Sequence, residues 1–495
     1  MRLQITPESI IRPSDRYVTE ARDGLTLVVA PATGGWVLTG NLGEIALLDW
    51  LSASGVVTVK QASACYERDS RQQDAVDVIK KLLQRGLISL DDTVVGTSSS
   101  RMDGVTIIAP RTDHNTYPVL AIFHMHNWCN LACTYCYTIE DGVSKKRLPL
   151  EYMERVVDEM RDLPTRSSTF EFHGGEPTMA MSDIQKITEY ASRQYAQVDK
   201  KIAFSIQTNG YNLRENICDF LAEHNFVVRV SLDGTSDTHD DFRLDQRGKG
   251  SHSGVVKGIR RLQMRGVPVH AVCVVHEGNR QRMVEMYDAM NKLNVASIRF
   301  LPVFKTGKAG NESWLTGDKY FDSYFEVVRH IAALGRQGKT VTPLPNLLAG
   351  EIGSLRSFRR EYMCMRNPCG AGINMVTIDV NGDIYPCEEM VGKPEFLVGN
   401  IAKVGIREIA ETSPIVEALR QRHVDEIEEC STCTWKQMCH GGCVHKSYTH
   451  FKRMDRESEH CFYYKKIYKE LIWLEAEQPG SWAAIEGQSA LKPSP

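Results

Sequence analysis

Between Val119 and about Pro302 the chain alternates short apolar runs with amphipathic stretches. Val119-Leu-Ala-Ile-Phe-His124, Thr169-Phe-Glu-Phe172, 201–206, 226–231, 269–275 and 297–301 have the length and the β-branched and aromatic content of buried strands. Patterns of helical period separate them, at 150–161 (Met153, Val156, Val157 and Met160 on one face), 182–193 with a Ser182-x-x-Gln185 capping box, 213–224, 255–265 and 280–293. Six β/α units predict an α/β fold with parallel pairing, right-handed crossovers and chemistry at the C-terminal ends of the strands.

The first 95 residues follow a different pattern. Thr26-Leu-Val-Val-Ala30 and Trp36-Val-Leu-Thr39, joined by Pro31-Ala-Thr-Gly-Gly35, read as a hairpin. Helical patterns follow at 44–51, 59–66 and 71–83, with Gly86 as a stop. This predicts a separate small winged-helix-like α+β domain over 1–95. A polar linker over 96–117 would carry at most a short strand at Val105-Thr-Ile-Ile108. Residues 118–345 then form the α/β unit, with a further helix at 318–334. Residues 346–476 form a cysteine-rich domain, and 477–495 a tail.

Composition narrows the chemistry. A net charge of −3 without a long basic run argues against nucleic acid as a partner. The first thirty residues are polar and broken by Pro7 and Pro13, unlike a signal peptide, and no apolar run reaches the length of a membrane span, so a cytoplasmic protein is expected. In a reducing compartment its 14 cysteines argue for metal ligation over disulfides. Cys65, Cys218 and Cys273 lie within apolar patterns and read as core residues, which leaves two groups with ligand-like spacing.

The first group is Cys129-Asn-Leu-Ala-Cys133-Thr-Tyr-Cys136, a C-x3-C-x2-C loop leaving the first predicted strand. Three soft thiolates suit an iron–sulfur cubane with one iron left open, and a zinc knuckle is the other chemistry that the spacing permits. With Tyr135 before the last cysteine, the stretch resembles the signature of the radical SAM superfamily, and His173-Gly174-Gly175-Glu176-Pro177 at the end of the second strand strengthens the likeness. The resemblance implies an open partial (β/α)6 barrel in which a [4Fe–4S] cluster binds S-adenosylmethionine and cleaves it to a 5′-deoxyadenosyl radical. It also implies that Gly174, Gly175, Glu176 and Pro177 bind the amino group of the methionine moiety. The ends of the third and fourth strands, Thr208-Asn209-Gly210 and Ser231-Leu-Asp233-Gly234, complete the expected cosubstrate site. There Ser231 and Asp233 would face the ribose and the methionine carboxylate, and Arg243 would pair with the carboxylate. Asn-Gly and Asp-Gly are also ordinary turn dipeptides.

The second group is Cys364, Cys369, Cys387, Cys430, Cys433, Cys439, Cys443 and Cys461. Its order, C-x12-G-x4-C followed by C-x2-C-x5-C-x3-C and a last cysteine, resembles the SPASM domain, which holds two auxiliary [4Fe–4S] clusters. A zinc ribbon over Cys430 to Cys443 is the alternative. The resemblance assigns Cys430, Cys433, Cys439 and Cys461 to one cluster, and Cys364, Cys369, Cys387 and Cys443 to the other, giving three clusters in all. Glu388 follows Cys387, and in sulfatase maturases of this family an acidic residue there is the catalytic base; a solvated carboxylate is the plainer reading.

The hairpin with three helices resembles the peptide-recognition domain of the pyrroloquinoline-quinone peptide-chaperone type, which binds a leader peptide by adding its strand to a sheet edge. A winged-helix packing cap is the alternative. Together these likenesses imply a radical SAM/SPASM enzyme that modifies a ribosomally made peptide or small protein. The expected product is an intramolecular thioether from a cysteine sulfur to carbon, as in maturases of the quinohemoprotein amine dehydrogenase type. Electrons would come from a donor such as flavodoxin or ferredoxin. A formylglycine-forming sulfatase maturase, a C–C cross-linking maturase and a non-enzymatic metal-binding scaffold are the competing readings.

Overall fold

The computed structural model describes residues 5–14, 16–69, 74–90, 117–138, 144–304, 307–309, 314–344, 348–356 and 363–486. The linker expected at 96–117, its short strand and the last part of the tail lie outside or almost outside these residues.

Fifteen strands form three sheets among the described residues: β1 (Ile10–Pro13), β2 (Val18–Arg22), β3 (Leu25–Ala30), β4 (Gly35–Thr39), β5 (Val57–Thr58), β6 (Ile88–Leu90), β7 (Leu120–His124), β8 (Ser167–His173), β9 (Lys201–Thr208), β10 (Val227–Ser231), β11 (Val269–Val275), β12 (Ser297–Pro302), β13 (Met375–Ile378), β14 (Asp383–Tyr385) and β15 (Gly399–Asn400). Strands β7 to β12 stand side by side in chain order and pair in parallel, each joined to the next through helix. β12 pairs only with β11, so the six strands do not close on themselves. On the other edge β13 adds in parallel to β7, and β14 and β15 extend the sheet antiparallel. The cysteine-rich segment is thereby stitched to the first strand of the α/β unit.

The core explains the order. Phe123, Phe170, Phe172, Phe204 and Phe226 are buried on neighbouring strands, and their rings stack at 5.5–6.4 Å. Flanking helices contribute Met153, Val156, Val157 and Met160 (Leu150–Asp162), as their 3.6-residue spacing predicts, and Ile184, Ile187 and Ala191 (Met181–Tyr195). Cys65, Cys218 and Cys273 are buried, as expected of core residues. The capping box expected at Ser182 is absent. A 3₁₀ turn, Pro177–Ala180, feeds directly into the helix, and the side chain that caps this junction is Glu176, which accepts from the Thr178 N–H.

The expected hairpin is β3-β4, which β2 extends to a three-stranded sheet beside a second one, β5-β1-β6, with helices at Leu42–Ser54, Val59–Asp69 and Ala75–Gln84. This N-terminal region does not keep its core to itself. Along β3, Val28 and Ala30 face the local core, while Leu27 and Val29, one residue out of phase, join the main core. Arg22 bridges to Glu470 and Glu477 at 3.1 and 3.2 Å, its guanidinium lies 4.8 Å from the Trp473 ring centre, and Trp36 Nε1 donates to the Leu355 carbonyl at 2.8 Å. The partner surface is the C-terminal helix Cys461–Glu477 and its neighbours. Among the described residues no helix is long and apolar enough to cross a membrane.

Behind that helix Glu351 is fully buried, and the Tyr463 hydroxyl donates to its two carboxylate oxygens at 2.9 and 3.1 Å. Burial pushes its pKa up to about 8, and the tyrosine hydrogen bond offsets only part of the rise. The folded state therefore holds a proton that the unfolded chain releases in the ordinary carboxylate range. Its stabilising effect is complete below that range and is lost as the pH rises through about 8. Glu351→Gln is expected to flatten the fall of thermal stability between the ordinary carboxylate range and about pH 8, by up to about 1.4 kcal/mol per pH unit. Thermal midpoints of both proteins across that range measure it, and parallel curves would contradict it.

Candidate functional site

Three chain segments converge at the C-terminal ends of β7 to β10. The first is the loop after β7 with Cys129, Cys133 and Cys136, all partly buried. Residues 242–246 pin this loop from outside: Ala132 N–H donates to the Leu244 carbonyl at 2.8 Å, Thr134 N–H to the Phe242 carbonyl at 3.0 Å, and Gln246 Nε2 to the carbonyls of Cys129 and Leu131 at 3.0 and 2.8 Å.

The second is the Gly174-Gly175-Glu176-Pro177 turn after β8. A Cβ on Gly175 would stand 1.7 Å from the Trp128 carbonyl oxygen, and Gly174 has φ +108° with the His126 carbonyl 2.8 Å from an added Cβ. The two glycines let the turn lie directly against the cysteine loop. Glu176 is fully buried and accepts from Thr178 N (3.1 Å), Thr178 Oγ1 (2.5 Å) and Thr208 Oγ1 (2.6 Å) through Oε1, and from Asn209 N (2.7 Å) through Oε2. The carboxylate expected to meet an ammonium group thus fastens β8 to β9, with acceptor capacity left on Oε2 for a further donor. Asn209 reaches onward, its Nδ2 donating to Asn130 Oδ1 at 2.7 Å and lying 3.4 Å from Cys129 Sγ.

The third is the turn after β10. Asp233 is fully buried and accepts from Arg243 Nε (2.8 Å) and Nη2 (3.3 Å), from Val274 N (2.9 Å) and from the Tyr135 hydroxyl. Burial alone would raise its pKa, and the guanidinium more than reverses that, holding it below its usual value. Asp233 and Arg243, expected to face a ligand, instead face each other and Tyr135, tying the cysteine loop to the strand ends. Ser231 lies nearby, with Gln207 Nε2 donating to its Oγ at 3.3 Å.

The second cysteine group lies in two sets. Cys430, Cys433, Cys439 and Cys461 line one small pocket with Trp435, Tyr464 and Lys465. Cys369 and Cys387 each feel Cys364 and Cys443 as charged neighbours. Burial pushes Cys129, Cys369 and Cys430 each up to about 12, and neighbouring sulfurs add to the rise. Such thiols ionise only beside a bound cation, and grouped soft donors fit iron–sulfur clusters.

Glu388 sits in the 3₁₀ turn Glu388–Met390, directly after Cys387. It accepts from the Tyr137 hydroxyl, which belongs to the first cysteine loop, and lies 3.2 Å from His173 Nε2. His173 pairs in register with His124, and their rings stack at 5.7 Å and 20°. Burial pushes His124 down to about 3, helped by His173. Sequence reasoning passed over Tyr137, His124 and His173. The signal available was that both histidines end strands predicted to be adjacent.

Comparison with known proteins agrees with this geometry. Residues 123–290 match the radical SAM superfamily, and residues 369–434 match SPASM, an iron–sulfur cluster-binding domain. The chain carries a radical SAM domain and a SPASM domain. It is 24% identical over 361 residues to a cysteine-type anaerobic sulfatase-maturating enzyme of Clostridium novyi, covering 70% of this chain and 92% of that protein. It is 27% identical over 350 residues to a serine-type enzyme of Bacteroides thetaiotaomicron, covering 64% and 80%. Among solved structures, native anSMEcpe with bound AdoMet superposes with TM-score 0.65 and 23% identity over 74% of this chain and 99% of that one. Streptococcus suis SuiB bound to precursor peptide SuiA does so with TM-score 0.54 and 14% identity over 90% and 98%. The two domains make the protein an enzyme whose cofactors are [4Fe–4S] clusters and S-adenosylmethionine. When bound, these supply a 5′-deoxyadenosyl radical that removes a substrate hydrogen atom.

Gly175→Ala tests the close approach in the radical SAM domain. The clash is with backbone, so the cost is expected to exceed the usual ~1–3 kcal/mol of overpacking and to displace the cysteine loop. Anaerobically purified variant should lose about four irons per chain, one cubane's worth. Wild-type iron content would contradict the placement.

Proposed function

We propose that the enzyme modifies a ribosomally made peptide or small protein, and that it closes a substrate cysteine sulfur onto a carbon from which a hydrogen atom has been removed. The observation that carries this reading is the position of Glu388. The residue comes from the SPASM domain, yet it is bonded to Tyr137 of the radical SAM cysteine loop and faces His173 at the end of β8. A proton acceptor beside the radical-generating loop suits a reaction in which a nucleophile must lose its proton as the new bond forms. Glu388 takes the thiol proton, Tyr137 and His173 orient its carboxylate, and Cys364, Cys369, Cys387 and Cys443 would hold a cluster able to accept the surplus electron. Flavodoxin or ferredoxin supplies the electron that starts each turnover.

The N-terminal sheets and helices support a peptide substrate. The likeness to SuiB with its precursor peptide extends over 90% of the chain, against 74% for anSMEcpe, so the region in front of the barrel has a counterpart there. In our reading this region binds the leader of the substrate. Formylglycine formation is the second reading. It is favoured by the two sulfatase-maturating relatives, 92% and 80% of whose lengths are covered.

Mass spectrometry of a precursor peptide incubated with reduced holoenzyme separates them. A thioether removes two hydrogens and leaves the cysteine resistant to alkylation, whereas formylglycine gives an aldehyde that hydrazides trap. The account expects the first product, with Glu388→Gln lowering its rate by about 10²–10⁴-fold while S-adenosylmethionine is still cleaved. Aldehyde formation, or parental rates in the variant, would refute it.

A further inference from the structure

We propose that His124, His173 and Glu388 form a binding site for one divalent cation of the zinc type, separate from the three cysteine sets. The parallel register of β7 and β8 sets the two imidazoles side by side at the mouth of the sheet, and the SPASM domain brings the carboxylate to them. One ligand atom from each residue lies within 4.8 Å of the other two. The pair His173 Nε2 and Glu388 Oε1 is already at 3.2 Å, close to the ~3.4 Å that bonds near 2.1 Å in tetrahedral array require.

A second observation points to an ion. His124 is 7% exposed, and its Nε2 is buried with no hydrogen-bond partner. An orphaned imidazole nitrogen beside that pair is costly unless a cation or a donor meets it, because buried polar atoms are normally satisfied. Two neutral imidazoles and one carboxylate are the donor set of zinc sites that keep a coordination position open. Tyr137 and Glu388 mark the side from which a substrate group would arrive.

The use of the site rests on the thioether reading; its existence does not. A substrate thiol that enters the open position binds as thiolate, the S–H bond breaks, and the proton passes to the carboxylate oxygen that does not bind the cation and then to solvent. No electron is transferred in this step.

The test needs no peptide. Holoenzyme with its clusters in place is dialysed against micromolar Zn²⁺ and desalted, and zinc and iron are counted by mass spectrometry. One zinc per chain is expected in addition to unchanged iron, with a zinc-edge X-ray absorption shell of nitrogen and oxygen only. His124→Gln and His173→Gln should each weaken zinc retention by about tenfold or more with iron unchanged. Tyr137→Phe, which removes a hydrogen bond but no ligand, should retain the zinc. Wild-type protein without bound zinc, a sulfur shell near 2.3 Å, or histidine variants that keep their zinc would overturn the site. The peptide assay can fail without touching this result, and the reverse also holds.

Discussion

Eleven sulfurs are gathered at three places within a folded chain, and the cost of burying them without a cation governs the structure. Burial pushes Cys129, Cys369 and Cys430, one at each place, up to about 12, and a neighbouring sulfur that ionises makes each of them harder to ionise. Positive charge of iron at each place reverses both effects, so cluster binding and folding of the cysteine-bearing segments are coupled. The protein scaffolds these loops without relying on the sulfurs. Backbone bonds from residues 242–246, the Glu176 carboxylate and the Asp233–Arg243 pair hold the first loop, and a parallel strand pairing holds the SPASM segment.

That pairing, β13 beside β7, has a consequence for chemistry. It ties the SPASM strands to β7, and Glu388 in the turn after β14 reaches Tyr137 of the radical SAM cysteine loop and His173 at the end of β8. The carboxylate beside Cys387 and the radical SAM cysteine loop thereby meet, although they come from parts of the chain more than two hundred residues apart. The N-terminal strands are not a loose appendage to these domains. The alternation of β3 between two cores, with Arg22 and Trp36 anchored on the C-terminal helices, makes the three regions one packed body.

Much of this was legible because it is local. The alternation of apolar runs and 3.6-period stretches places all six barrel strands to within a residue or two at most ends, and C-x3-C-x2-C and its SPASM counterpart announce themselves by spacing. What escaped depends on pairing across the chain. Ser182 and Gln185 had the composition of a capping box, but the preceding 3₁₀ turn, capped by Glu176, leaves it no role. The Asp233–Arg243 pair looked like two free ligand contacts, since nothing in the sequence says that Arg243 folds back onto Asp233. His124 and His173 become neighbours only through the register of β7 and β8, and Tyr137 meets Glu388 only through the docking of two domains.

The central claim is that Cys129, Cys133 and Cys136 hold an iron–sulfur cluster able to cleave S-adenosylmethionine. Anaerobic purification followed by an iron count and an assay for 5′-deoxyadenosine with dithionite tests it most directly. The account predicts brown protein with about twelve irons per chain, four for each of three cubanes, and steady release of 5′-deoxyadenosine. Colourless protein that carries zinc on its cysteines and releases no 5′-deoxyadenosine would contradict it.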